Sequence, residues 1–241
     1  MFKKHREFFL DKMKYSTRKR APYYKFAAHF LPKERSSYIV DIGSGYEGFT
    51  SFLKLHDHYN NVFNLDNNED VIRQVTGGTH YVAPDPLPFS DNTVSFIHCS
   101  HIVEHLYPEQ LYIFLKEIDR ALKTDGILVI STPLLWDRFY EDMSHIKPYY
   151  PHVFSKYLCF RRENVSRTRS QISSQYTQLG IQYRYDVSDD PSIGWGARFY
   201  MIDLVIYAFK KIISKLGFKH WCRSGYTLVL RKGPAPSENI L

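Results

Sequence analysis

The stretch Val40-Asp41-Ile42-Gly43-Ser44-Gly45-Tyr46-Glu47-Gly48 decides the fold of this chain. It is a D-x-G-x-G-x-x-G run between the β-branched segment Tyr38–Ile42 and a helical pattern from Phe49 to Leu55. Glycines at such a junction let the backbone turn tightly and approach a ligand closely. Outward from it, Asn61–Asp66 reads as a second strand, with Asp66 at its end, 21 residues after Gly45. A carboxylate there can accept hydrogen bonds from a ribose diol. Val94–Cys99 and the continuous apolar run Gly126–Ser131 read as further strands. Between them Pro108–Lys123 is an amphipathic helix, with Leu111, Phe114, Leu115, Ile118 and Leu122 on one face. Alternation of strand and helix from 38 to 131 predicts an α/β, doubly wound, Rossmann-like sheet.

Two cofactors suit a carboxylate at the end of the second strand, NAD and S-adenosylmethionine (SAM). NAD needs a helix N-terminus left open for its pyrophosphate. Asp41 and Glu47 put negative charge into this loop instead, which suits the ammonium and sulfonium of SAM.

Downstream, Leu87-Pro88-Phe89-Ser90-Asp91-Asn92 precedes the fourth-strand segment, which is followed by Ser100-His101-Ile102-Val103-Glu104-His105-Leu106 and, later, by Ile127–Pro133. With the glycine turn, these motifs make residues 38–133 resemble the class I SAM-dependent methyltransferases, in particular the broad methyltransferase type 11-like group. The resemblance implies a mostly parallel seven-stranded sheet with a late antiparallel strand. By it, Asp41 and the Gly43, Ser44 and Gly45 backbone hold the methionine moiety, Asp66 takes the ribose hydroxyls, and Asn67 lies beside the adenine. Ser100 or His101 then faces the methyl group. Two places depart from the group: Gly48 stands one position later than its third glycine, and Ala83 occupies its acidic adenine position. Asp85 and Leu87 are therefore the adenine-side candidates in this chain.

The run His101 to His105 also spells H-x-x-E-H, the inverted zinc-protease signature. It directly follows a strand rather than lying within a helix, so it is read as accidental and no metal is expected. Asp142-Met143-Ser144-His145-Ile146-Lys147-Pro148 follows the fifth strand, where parallel sheets place ligand sites. His145, with a carboxylate three residues away, is the candidate general base; the competing reading makes it a loop lock. His101 is the second candidate.

After Pro133 the rhythm changes. Residues 134–180 read as a substrate-binding insertion of loop and helix, followed by strands over Ile181–Val187 and Tyr226–Arg231. These strands bracket an apolar helix over 199–216, either buried or free to contact a membrane surface or a second copy. Ahead of the sheet, residues 1–37 form a basic cap of two helices separated at Pro22; the methyltransferase domain spans 38–232, and 233–241 is a flexible tail.

Formal charge is +7 over 241 residues, and it is unevenly spread. Residues 1–37 hold 11 Lys/Arg against 3 Asp/Glu, and 198–237 hold 8 against 1, around an acidic middle. Basic ends around an acidic centre do not form the stripe of a nucleic-acid reader, so nucleic acid is not the expected partner. Three widely spaced cysteines make neither a disulfide framework nor a C-x-x-C site. With no secretory signal at Met1, the chain is expected to be cytoplasmic, with peripheral contact at the inner membrane face through 199–216. O-methylation of a sugar, surface glycan or other small-molecule hydroxyl is the expected reaction. The alternative is a protein or RNA methyltransferase that grips its partner with the basic N-terminal segment, and a SAM-binding subunit without activity is a third reading.

Overall fold

The structure, a computed structural model, describes residues 20–159, 168–188, 199–216 and 220–234. The first helix expected in the cap lies outside these residues, as does most of the tail. Seven strands form one sheet: β1 (Tyr38–Ile42), β2 (Asn61–Asp66), β3 (Gly78–His80), β4 (Val94–Ser100), β5 (Leu122–Pro133), β6 (Tyr176–Ser188) and β7 (His220–Lys232). Their order across the sheet is β3-β2-β1-β4-β5-β7-β6. The strands β3 to β5 run parallel, while β7 runs antiparallel to both β5 and β6. A single late antiparallel strand between two others is the expected arrangement. The short β3 lay outside the sequence pattern, because three residues carry no periodicity.

The helices are α1 (Ala21–Ala28), α2 (Phe49–Phe52), α3 (Glu69–Gln74), α4 (Pro108–Ala121), α5 (Pro151–Leu158) and α6 (Tyr200–Lys215). Pro22 stands in the first turn of α1, where a missing N–H has no partner to lose. Alternate side chains of the central strands feed two cores. On one face Val40, Ile42, Ile97, Leu128 and Ile130 pack with Phe114, Leu115 and Ile118 of α4 and Phe154 of α5. On the other Ile39, Phe96, Val129 and Val229 pack with Tyr24 and Ala27 of α1 and with Phe49. Strands buried on both faces explain why β5 reads as a continuous apolar run over Ile127–Ile130 and why β4 is buried at every residue.

This frame fixes where ligands can sit. The C-terminal ends of β1, β2, β4 and β5 converge at one edge, and that edge carries the Gly43–Gly45 turn, Asp66, Ser100 and the start of the 134–175 segment. The β6–β7 ribbon overhangs the same edge, because β7 pairs with β5 only from Gly225 onward while β6 and β7 stay paired out to Ser188 and His220.

Candidate functional site

The glycine turn takes its shape from two carboxylates. Asp41 is fully buried: His98 Nδ1 lies 2.7 Å from its Oδ1, and the Phe49 N–H donates to its Oδ2 at 2.9 Å. Asp66 accepts from the Gly45 N–H through Oδ2 and from the Asn68 N–H through Oδ1, each at 2.9 Å. Gly43 and Gly45 have φ of +75° and +57°, and a Cβ on Gly43 would stand 2.7 Å from the Ser100 carbonyl oxygen. No other residue fits at Gly43 without strain.

Above this turn lies a cavity of about 470 Å³. Gly43, Gly45, Asp66, Asn67, Ser100 and His101 all line it, which brings six of the sequence candidates together. The other four cofactor candidates stand outside its lining. Asp41 and the buried Ser44 lie behind the turn; Asp41 shapes the loop from within rather than reaching a ligand directly. Leu87 is buried, its N–H donating to Glu117, and Asp85 is exposed. The Leu87–Asp91 segment is instead clasped to α4: Arg120 donates to the carbonyls of Leu87 and Phe89 and pairs with Asp91 and Glu117. Tyr81, Val82, Ala83, Ile102 and Leu106 supply the apolar part of the cavity lining.

These features fit SAM. A carboxylate stands where a ribose diol needs an acceptor, with one lone pair on each oxygen beyond its backbone bond. A flat apolar wall stands where adenine needs one. Asp66→Ala should therefore weaken SAM binding by about 1–3 kcal/mol, leaving diol hydroxyls unpaired, while the protein stays folded; calorimetry with SAM and its demethylated product checks this.

His101 is the most informative side chain. It sits at φ +56°, a left-handed conformation that costs energy in a non-glycine residue and tends to be held at functional sites. Its N–H donates to the Ser131 carbonyl at 2.9 Å, anchoring it between β4 and β5. Its Nδ1 lies 2.9 Å from Oε1 of Glu104, a carboxylate with no exposed surface. The Thr132 hydroxyl donates to the other oxygen of Glu104 at 3.0 Å. Burial holds the His101 pKa below its ordinary value, with Glu104 pulling it partly back up. Burial pushes the Glu104 carboxyl up, but the His101 contact and hydrogen bonds outweigh it and leave that group below the usual range. Beyond His101, an Arg184 guanidinium nitrogen lies 3.4 Å from Nε2.

Arg184, from β6, leads into a second cavity of about 630 Å³, also lined by Trp136, Arg138, Glu141, Asp142, Asp186 and Ser224. His101 and Arg184 also line a small void of about 10 Å³ together with Tyr23, Tyr24, Ser131 and Thr227, room for about one water. Neither Glu104 nor Arg184 was singled out from sequence. The H-x-x-E spacing did hold a signal for Glu104, since it marks a histidine and a carboxylate one short turn apart.

His145 is placed differently from its candidacy as base. Its Nδ1 meets the Phe139 carbonyl at 2.6 Å, its ring packs against Phe139 and His105, and it does not line the SAM cavity. Asp142 stands 3.8 Å from its Nε2. These contacts are those of a loop lock. Glu104, His105 and His145 each bring one ligand-type atom within 4.8 Å of the others, although the Glu104 carboxylate is already engaged by His101 and Thr132.

Strand order, the glycine turn and the carboxylate that ends β2 together give a Rossmann-like arrangement shared with methyltransferase folds. Residues 40–130 match a family described as a methyltransferase domain. Among solved structures it is similar to a SAM-dependent methyltransferase from Archaeoglobus fulgidus, at 22% identity and a TM-score of 0.55, covering 93% of this chain and 99% of that one. The YcgJ protein of Bacillus subtilis is similar at 12% identity and TM-score 0.57, covering 88% and 98%. So is a geranyl diphosphate C-methyltransferase from Streptomyces coelicolor, solved with Mg²⁺, geranyl diphosphate and S-adenosylhomocysteine, at 11% identity and TM-score 0.52, covering 88% and 79%. No protein of curated function matches the sequence.

Proposed function

We propose that the protein methylates a hydroxyl oxygen of a sugar, surface glycan or similar polyhydroxylated small molecule, with His101 as the base and Glu104 as its positioning partner. The observation that supports this reading is the place of His101, which lines the cavity above the glycine turn while its Nε2 lies 3.4 Å from Arg184, a residue that lines the second cavity. When bound, SAM supplies an electrophilic methyl carbon on a sulfonium, a good leaving group. The chain has to align the acceptor oxygen with that carbon and remove its proton. His101 Nδ1 and Glu104 Oε1 are 2.9 Å apart, so a neutral imidazole with its proton on Nδ1 keeps the Nε2 lone pair on the side of Arg184. Burial favours that neutral form, and the Glu104 carboxylate stabilises the imidazolium once the proton arrives.

The second cavity has the chemistry of a polyol site. Glu141, Asp142 and Asp186 can accept from hydroxyls, Arg138 and Arg184 can donate, and Trp136 offers an apolar ring face. Labelled SAM offered with sugars, polyols, amines, peptides and RNA tests the reading, and label should appear in the hydroxyl class. Methylated RNA, or RNA affinity falling log-linearly with salt, would replace it with the RNA alternative.

The transfer is proposed to be metal-independent, because the Glu104 carboxylate in the Glu104–His105–His145 group already serves His101 and Thr132. EDTA should leave the rate unchanged. A rate lost to chelation and restored by one divalent cation per chain would refute this.

A further inference from the structure

Helix α6 is built with its apolar face turned outward. Met201, Ile202, Val205, Phe209 and Ile212 share one side of the helix and are 52–67% exposed. The side carrying Asp203, Ile206, Lys210 and Ile213 is only partly exposed. A surface helix of a self-contained globule shows the reverse, apolar side in and polar side out. Leu216, Phe199 and Trp221, next to α6 or at the end of the ribbon, are exposed as well. This is a contiguous apolar patch of the kind that marks an interaction site rather than scattered surface residues.

Charge decides between the candidate occupants. Lys211 and Lys215 are exposed in the last turns of α6, with Lys211 Nζ over the Tyr207 ring at 5.7 Å. Residues 198–237 hold 8 Lys/Arg and one Asp/Glu. A second copy would set this basic segment against its like, whereas an anionic lipid surface attracts it. The helix is about 24 Å long, short of the roughly 30 Å hydrocarbon core, and among the described residues no helix is long and apolar enough to cross a membrane. Length, patch and flanking lysines match a helix lying in the plane of an interface.

We propose that α6 docks this protein onto an anionic lipid bilayer, its Met201–Ile212 face in the acyl boundary and Lys211 and Lys215 at the phosphates. The helix lies in the connection at the far end of the β6–β7 ribbon. That ribbon overhangs the edge of the sheet bearing both cavities, and it supplies Arg184 and Asp186 to one of them. Docking therefore anchors the molecule by the element that lines its second cavity.

Flotation of the full chain with vesicles tests this. Phosphatidylcholine and phosphatidylglycerol at about three to one provide the anionic surface, and phosphatidylcholine alone the control. The protein should float with the anionic vesicles and weakly with the control. Each lysine near such a surface contributes about a fivefold factor in partition, so Lys211→Gln with Lys215→Gln should weaken flotation by about thirtyfold. Val205→Asp with Phe209→Asp should abolish it while circular dichroism and SAM binding, read by calorimetry, stay as in the unaltered protein. Equal binding to both vesicle types, no binding, or variants that float unchanged would overturn the proposal. So would a dimer in solution that Val205→Asp with Phe209→Asp splits, since a second copy would then cover the face.

Discussion

Replacing His101 with Ala should lower methyl-transfer turnover by roughly 10²–10⁴-fold, the contribution of a positioned general base, while leaving SAM affinity close to unchanged. The pH profile makes the assignment specific. Because burial holds the His101 pKa below its ordinary value of 6.5, turnover should be flat above that value and fall as the pH drops through the lowered pKa and the imidazole protonates. Glu104→Gln removes the group that pulls His101 back up, so the acid limb should move to still lower pH while the plateau rate falls. His145→Ala should leave the position of the limb where it was. A limb that shifts with His145 and ignores Glu104 would return the base to His145.

Asp41→Ala should be the most destabilising change at the site. It leaves His98 and the Phe49 N–H, both buried, without their acceptor, costing about 2–5 kcal/mol. In a domain of this size that is a fall in melting temperature of about 5–15 °C. SAM affinity should drop too, because the turn that Asp41 braces is the one that carries Gly43 and Gly45. Adding His98→Phe should recover part of the stability, since it removes the stranded imidazole rather than leaving it buried and unpaired. Full stability in the single variant would show that the turn is held by its glycines alone.

These two residues also show what sequence can and cannot disclose. The fold was legible because its signals are local: a glycine turn after a β-branched strand, an amphipathic helix, apolar runs at strand length. The lining of the cavity above the turn was legible where the motif and the backbone coincide, at Gly43, Gly45, Asp66 and Ser100. It was misplaced where a side chain's partner is distant in the chain. Asp41 reads as a ligand residue until His98, 57 positions away, takes one of its oxygens. Asp85 and Leu87 read as adenine neighbours, but neither lines the cavity: Arg120 ties the Leu87 carbonyl to α4, and Tyr81–Ala83 stand in the lining. Arg184 could not be found from spacing, because only the antiparallel return of β7 carries β6 to the edge where His101 stands. Nor does periodicity tell which face of α6 points outward: an amphipathic pattern is the same whether its apolar side meets a core or a bilayer.

The order of strands has a consequence for how the molecule is made. Strand β6 joins the sheet only through β7, and β7 is the last of the seven described strands in chain order. Until residue 232 has emerged, β5 presents an unpaired edge on this side of the sheet and β6 has no strand to pair with. An open, apolar strand edge of this sort is a template for pairing with neighbouring chains. Nascent chains stalled or cut before Lys232 should thus be far more prone to aggregation than chains lacking only the residues after it. Extensions appended beyond residue 234 should be tolerated, whereas a premature stop inside β7 should remove the protein from the soluble pool altogether.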